Sequence, residues 1–214
     1  MQHALVQLMT DKGDKEILEI VQVGDPVLRA TAKQLSPKEL ASRDVQKLIA
    51  VMRDTMRAAP GVGLAAPQIG VSLAIAVIED TAEYQKGHAP ERLAAFERTP
   101  VDFHVIVNPV LRFVGHEMVE HFEGCLSFAS FHMVVARSRK VHVDALDEHG
   151  KPISIDASGW YARILQHEID HLNGIVCCDR MDPRTLCTGE NFPRFWAGKS
   201  AADVKSIVGR SKLT

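Results

Sequence analysis

Val45, Leu48, Ile49, Met52 and Met56 recur with the 3.6-residue period of a helix, and Ser42 stands where an N-cap belongs. The pattern predicts a helix over 42–59, packed on the core by that stripe. Before it, residues 1–15 mix polar and charged types without a period and read as a loose arm. Asp25-Pro26 punctuates a short, turn-rich stretch over 21–29. After the helix, a buried strand is expected over 71–78 and a polar surface excursion over 79–102. Strand-like runs then recur at 104–107, 110–114, 118–122, 131–136, 140–146 and 152–155. Asp147-Glu148-His149-Gly150 between the last two is a hairpin turn. Strands this short and closely spaced predict antiparallel pairing and not βαβ units.

A second helix is predicted over 158–174, with Ser158 capping it and Gly174 ending it. One more strand is expected over 175–178. From Asp182-Pro183 the chain turns polar, with further Pro and Gly, and 184–214 reads as an irregular tail. No repeat or linker interrupts the pattern, so 1–214 is expected to form one domain. The fold class is α+β: short antiparallel strands forming mixed sheets around a central helix.

That helix carries the chemistry. His167 and His171 are four residues apart, which stacks two imidazoles on one helix face within reach of a shared metal ion. Glu168 follows the first of them. In such an H-E-x-x-H arrangement the carboxylate serves as general base for a metal-activated water. A catalytic site needs a third protein ligand and an open position. Downstream of His171 the chain offers Glu190 but no histidine, which counts against a zinc endopeptidase. Upstream, Cys125 lies in Glu123-Gly124-Cys125-Leu126-Ser127, a turn between predicted strands, and completes a Cys/His/His set. A closed structural metal site would need a fourth ligand, and no second cysteine lies near Cys125.

Composition narrows the setting. The four cysteines are Cys125, Cys177, Cys178 and Cys187; two are adjacent, a poor disulfide framework that favours a reducing compartment and leaves Cys125 free as a ligand. A net charge of -2 gives no electrostatic case for coating nucleic acid or an acidic membrane. No apolar run approaches the roughly 18 residues of a membrane span. Residues 1–10 lack the features of a secretory signal or a transit peptide. Of the histidines on the strand-like segments (His104, His116, His121, His132, His142 and His149), most are expected to face solvent. His121 stands out, four residues before Cys125. Gly61-Val62-Gly63-Leu64-Ala65-Ala66-Pro67-Gln68-Ile69-Gly70 lacks the G-K-[ST] ending of a phosphate loop, so its glycines point to close backbone approach instead.

GVGLAAPQIG at 61–70, EGCLS at 123–127 and QHEIDHLNG at 166–174 resemble, in order and separation, the three motifs of peptide deformylases. The resemblance extends over most of the chain. The wording of 157–163 looks most like the organellar branch of the family or a bacterial relative of it. It implies that Cys125, His167 and His171 hold the metal with water as fourth ligand. Glu168 would then take that water's proton as it attacks the formyl carbon and deliver it to the leaving amine. The Gln68 side-chain amide and the Leu126 backbone N–H would steady the oxyanion, each worth about 3 kcal/mol.

The implied substrate is a nascent chain beginning with N-formylmethionine, met at the ribosome, with formate as product. No contact with nucleic acid or membrane is expected. The peptide would add itself as a strand beside Val62 and Gly63 on one side and Gly124 on the other. Val62, Trp160, Ile164 and His121 are candidates for the methionine pocket. Arg163 either borders it or faces solvent. After EGCLS this chain departs from many relatives with Phe128-Ala129-Ser130-Phe131, two phenylalanines that bear on the shape of the groove. Ligand softness suits zinc. The resemblance implies Fe2+ in the cell, with Zn2+, Ni2+ or Co2+ as replacements. The expected location is the cytoplasm for a bacterial protein, and the mitochondrial or plastid matrix for an organellar one.

Overall fold

The computed structural model describes residues 17–209, so the arm expected over 1–15 lies outside the described residues. The first periodic stretch is helix α2 (Arg43–Ala58), preceded by the single turn α1 (Pro37–Leu40). The Ser42 hydroxyl accepts the Val45 N–H at 3.4 Å, and all five stripe residues are buried. They pack on Leu64, Ile75, Val77 and Val105.

The strands are β1 (Gly63–Ala65), β2 (Ile75–Asp80), β3 (Val101–Phe113), β4 (Met118–Cys125), β5 (Phe128–Ser138), β6 (Lys140–Leu146), β7 (Pro152–Ser158) and β8 (Cys187–Thr188). They form a five-stranded sheet of order β1-β2-β3-β6-β7 and a three-stranded sheet of order β4-β5-β8. Every ladder between these strands is antiparallel, as the short, closely spaced runs require. The β6–β7 hairpin turns at Asp147–Gly150, where the Asp147 carboxylate accepts the His149 and Lys151 N–H groups.

Several boundaries differ from the sequence reading. The strand placed at 71–78 begins at Ile75 and runs on through Glu79 and Asp80, which are buried. Arg57 and Arg98 reach in to pair these carboxylates bidentately, at 2.7 Å and at 2.7 and 2.9 Å, and so make the burial of two charges tolerable. The excursion after them is therefore shorter, and it contains two short helices, α3 (Ala82–Gln85) and α4 (Pro90–Ala95). The runs at 104–107 and 110–114 are one strand, β3, interrupted by a register shift. Asn108 takes a positive φ of 50° there, and its side chain bonds both the N–H and the C=O of Leu35.

No strand forms over 175–178. Val176 and Cys177 are buried by packing in a cluster with Leu28, Met133 and Val135, and Cys177–Asp179 is a 3-10 turn. The segment after 184, expected to be irregular, contains β8, a π-helical turn (Phe192–Trp196) and helix α6 (Ala201–Gly209).

Helix α5 (Gly159–Leu172) follows β7 directly. Ser158 sits at its N-cap but its hydroxyl makes no capping bond. At the other end Gly174 takes a φ of +73°; a Cβ there would lie 2.6 Å from the Arg29 carbonyl oxygen, so only glycine closes the helix this way. Ala162, Leu165, Ile169 and Leu172 pack on Ile78, Ile106, Val141 and Val143 of the five-stranded sheet. From the same helix Gln166 bonds the Ser138 backbone and Arg163 the Val135 carbonyl, both on β5. These contacts place the histidine-bearing turns of α5 against the end of β4.

Candidate metal centre

Cys125 ends β4, where the ladder with β5 shifts register between Gly124 and Cys125 before the chain turns through Leu126-Ser127. Its thiol enters a space shared with His167 and His171. One ligand atom from each of the three lies within 4.8 Å of the others, and Cys125 Sγ is 3.3 Å from His171 Nε2.

His167 is oriented by a carboxylate that the sequence reading had not assigned. Its Nδ1 bonds Glu123 Oε2 at 3.0 Å, which leaves Nε2 available to an ion. Glu123 is itself held by both arms of the Arg137 guanidinium, at 2.9 and 3.0 Å, and by Arg163 at 2.6 Å. Arg137 also pairs with Asp170, which Arg180 grips from outside at 2.6 and 2.7 Å. Burial opposes ionisation of Glu123, but His167 and Arg137 outweigh it and hold the carboxyl well below the usual range. Burial likewise pulls His167 down, and its bond to Glu123 brings it back up to about 9.

The donor set fits a divalent ion. Burial drives the His171 imidazole to its neutral, ligating form, and its Nδ1 has no partner among the described residues. The neighbouring Cys177 thiol and burial both hold the Cys125 thiol above its usual pKa. Metal binding would displace that proton and supply the charge that stabilises a buried thiolate. Glu168, next to this set but outside it, is 4% exposed, and its Oε2 has no partner among the described residues. Burial pushes its carboxyl up to about 7, suited to moving protons near neutral pH.

Beside these residues lies a cavity of about 430 Å³. Of the residues singled out from sequence, Val62, Gly63, Gln68, Gly124, Cys125 and Leu126 border it. So do Trp160, Ile164, His167 and Glu168, while His171 lies behind them. A Cβ on Gly63 would fall 2.3 Å from Glu168 Oε1, so glycine is what admits the carboxylate there. Gln68 is 1% exposed. Its Oε1 accepts the Ala65 N–H at 2.8 Å, which turns Nε2 toward Ser127 Oγ at 3.3 Å and Cys125 Sγ at 3.8 Å.

One placement differs from expectation. His121 does not border this cavity; it packs 4.2 Å from the Phe96 ring, in a second, larger space. Arg163 borders the cavity but is 3% exposed, with its guanidinium committed to Glu123, Val135 O and Val119 O. Of its two expected placements it takes the one at the cavity and does not face solvent. The two phenylalanines after EGCLS stack on each other with centroids 5.0 Å apart, and Phe131, Ala129 and Ser130 form part of the cavity wall. Glu123 and Asp170 could have been flagged as carboxylates beside ligand positions. Arg137 carries no local signal.

Two histidines and a cysteine that could together hold a metal ion converge beside a buried carboxylate with an oxygen unpartnered among the described residues, under an apolar-walled cavity, an arrangement that suits a metallohydrolase. The family model for polypeptide deformylase matches residues 17–186. The chain is 48% identical over 182 residues to chloroplastic peptide deformylase 1A of Solanum lycopersicum, covering 85% of this chain and 66% of that protein. It is 46% identical over 197 residues to peptide deformylase 3 of Streptomyces avermitilis, covering 90% of this chain and 84% of that one. A class I type b peptide deformylase from Acinetobacter baumannii, solved with Met-Ala-Ser bound, superposes with a TM-score of 0.69 at 31% identity. That match covers 78% of this chain and 100% of the other. The chain belongs to the polypeptide deformylase family, metal-dependent hydrolases that remove the N-formyl group from nascent peptides.

Proposed function

We propose that this protein removes the formyl group from N-formylmethionyl peptides at the Cys125/His167/His171 centre, with 1–214 acting as one catalytic domain and α5 as the helix around which both sheets are arranged. The observation that carries the reading is Glu168, buried, with Oε2 unpartnered among the described residues, adjacent to a three-donor set beside the cavity. Cys125, His167 and His171 would hold a divalent ion, Fe2+ in the cell with Zn2+, Ni2+ or Co2+ as replacements, and it would supply Lewis acidity toward water and the formyl oxygen.

The chain's own groups do the rest. Glu168 takes the proton of the attacking water and returns it to the amine nitrogen as the C–N bond breaks, giving formate and a free N-terminus. The Gln68 amide and the Leu126 backbone N–H donate to the oxyanion. Glu123 keeps His167 in the ligating tautomer. The peptide runs as an added strand past Gly63 and Gly124, with its methionine between Val62, Trp160 and Ile164. The Acinetobacter relative was solved with Met-Ala-Ser bound, which supports a peptide that begins with methionine as the ligand. The relatives' chloroplastic and bacterial origins fit either an organelle matrix or a bacterial cytoplasm, with nascent chains at the ribosome as substrate.

Metal-loaded protein is expected to release formate from formyl-Met-Ala-Ser and to leave internal peptide bonds intact, as read by a formate assay and mass spectrometry of the peptide. Cleavage of internal bonds with formyl-Met ignored would replace this reading with the endopeptidase one.

A further inference from the structure

All four cysteines are free, and the three outside the metal set differ in what they touch. Cys178 is half-buried, with Sγ 4.0 Å from an Arg29 nitrogen. Cys187, on β8, donates to the His132 carbonyl at 3.5 Å. Cys177 is 1% exposed and packs in one cluster with Cys125, Leu28, Met133 and Val135. Its thiol and that of Cys125 are hydrogen-bonded to each other. A ligand thiol therefore has a second thiol against it, one that the three-donor set does not use.

The two thiols differ in access. Cys125 borders the cavity of about 430 Å³ and Cys177 does not. A small oxidant that enters the cavity meets Cys125 first, with Cys177 behind it in the apolar cluster. Neither backbone is held in the middle of a ladder. Cys125 ends β4 where the register with β5 shifts, and Cys177 opens the 3-10 turn Cys177–Asp179, outside both sheets. Turns of this kind can give the small adjustment that brings two Cα atoms to the separation of about 4.4–6.8 Å a disulfide needs.

We propose that Cys177 is a resolving cysteine for Cys125: a peroxide oxidises Cys125, and Cys177 closes a reversible disulfide that takes the thiolate out of the metal set. The Cys125 sulfur attacks the O–O bond of the peroxide and becomes a sulfenic acid, with one oxygen leaving as water. The Cys177 sulfur then attacks the Cys125 sulfur; the S–O bond breaks, the S–S bond forms, and the Cys177 proton leaves with the second water. The two thiols give up two electrons and two protons in all, and the peroxide takes up both. A disulfide sulfur is no thiolate, so His167 and His171 alone are left to hold the ion. Without Cys177 the sulfenic acid is open to sulfinic acid, which a dithiol does not reverse. In a reducing compartment a disulfide is usually transient and redox-sensing, the use that suits this pair. The disulfide itself needs only the two cysteines. The loss of metal rests on the deformylase reading, in which Cys125 is a ligand.

The test treats zinc-loaded protein with hydrogen peroxide, then unfolds it, alkylates it without reduction and maps its peptides by mass spectrometry. The expected result is a crosslinked pair holding Cys125 and Cys177, with zinc released to a chromogenic chelator in step with the crosslink. Dithiothreitol and fresh zinc should then restore formate release. In Cys177→Ser the same treatment should leave sulfinic acid at Cys125, and dithiothreitol should recover less than about a tenth of the lost activity. Cys178→Ser should keep the crosslink and its reversal, which holds the test open should the Cys177 variant fail to fold. Wild-type protein in which Cys125 is oxidised while Cys177 remains open to alkylation, or in which Cys125 is linked to Cys178, would overturn the proposal. A Cys125–Cys177 bond with zinc retained would overturn its coupling to the metal. No formate from untreated zinc-loaded protein would overturn the deformylase reading and leave the disulfide to be judged by the peptide map alone.

Discussion

Replacing Glu168 with Gln is expected to lower formate release from a formyl-Met peptide by about 10³-fold, within the usual range for loss of a general acid–base. Glutamine matches glutamate in shape, so the packing against Gly63 is kept, but its amide cannot accept a proton from water. Glu168 lies outside the three-donor set, and metal content should therefore stay at the wild-type level. Because proton transfer belongs to the transition state, kcat and kcat/KM should fall together. Full activity in this variant would remove Glu168 from the mechanism. Loss of metal would make it a structural residue of the site.

The second large effect is on stability. Glu123→Ala should destabilise the metal-free protein by about 3–5 kcal/mol, the usual cost of removing one partner from a buried ion pair. The Arg137 and Arg163 side chains are 3% and 4% exposed, and both place guanidinium nitrogens on Glu123. Arg137 keeps Asp170 in the variant, but Arg163 keeps only backbone carbonyls. The melting temperature should drop by roughly 10 °C for a chain of this size. Measuring it without metal separates this loss from weakened metal binding, which the variant should also show once His167 loses its orienting bond. An unchanged melting temperature would mean that the two guanidinium groups find other partners or water.

What the sequence disclosed depended on how local the signal was. The helix at 43–58 was legible because its apolar stripe and its Ser42 cap lie within one stretch. The three candidate ligands, which the fold brings together, were legible because two share a helix face and the third sits in a distinctive turn. Strand ends were harder. Glu79 and Asp80 look like the start of a surface loop, and only Arg57 and Arg98, far off in sequence, make their burial possible. Val176 and Cys177 look like a strand but are buried by side-chain packing without a ladder. The Glu123–Arg137–Asp170 network joins β4, β5 and α5, so no window of sequence contains it. Arg163 shows the same limit: its helix position was read correctly, but its partners belong to two strands.

The most direct test of the metal centre is to strip the protein with a chelator and titrate a divalent ion back under anaerobic conditions, reading bound metal and formate release together, in the wild type and in Cys125→Ser. The account predicts that wild-type activity returns in proportion to bound metal and levels off at one equivalent per chain, while Cys125→Ser binds markedly more weakly. Full formate release from the stripped protein, or a full metal equivalent with unchanged activity in Cys125→Ser, would contradict it.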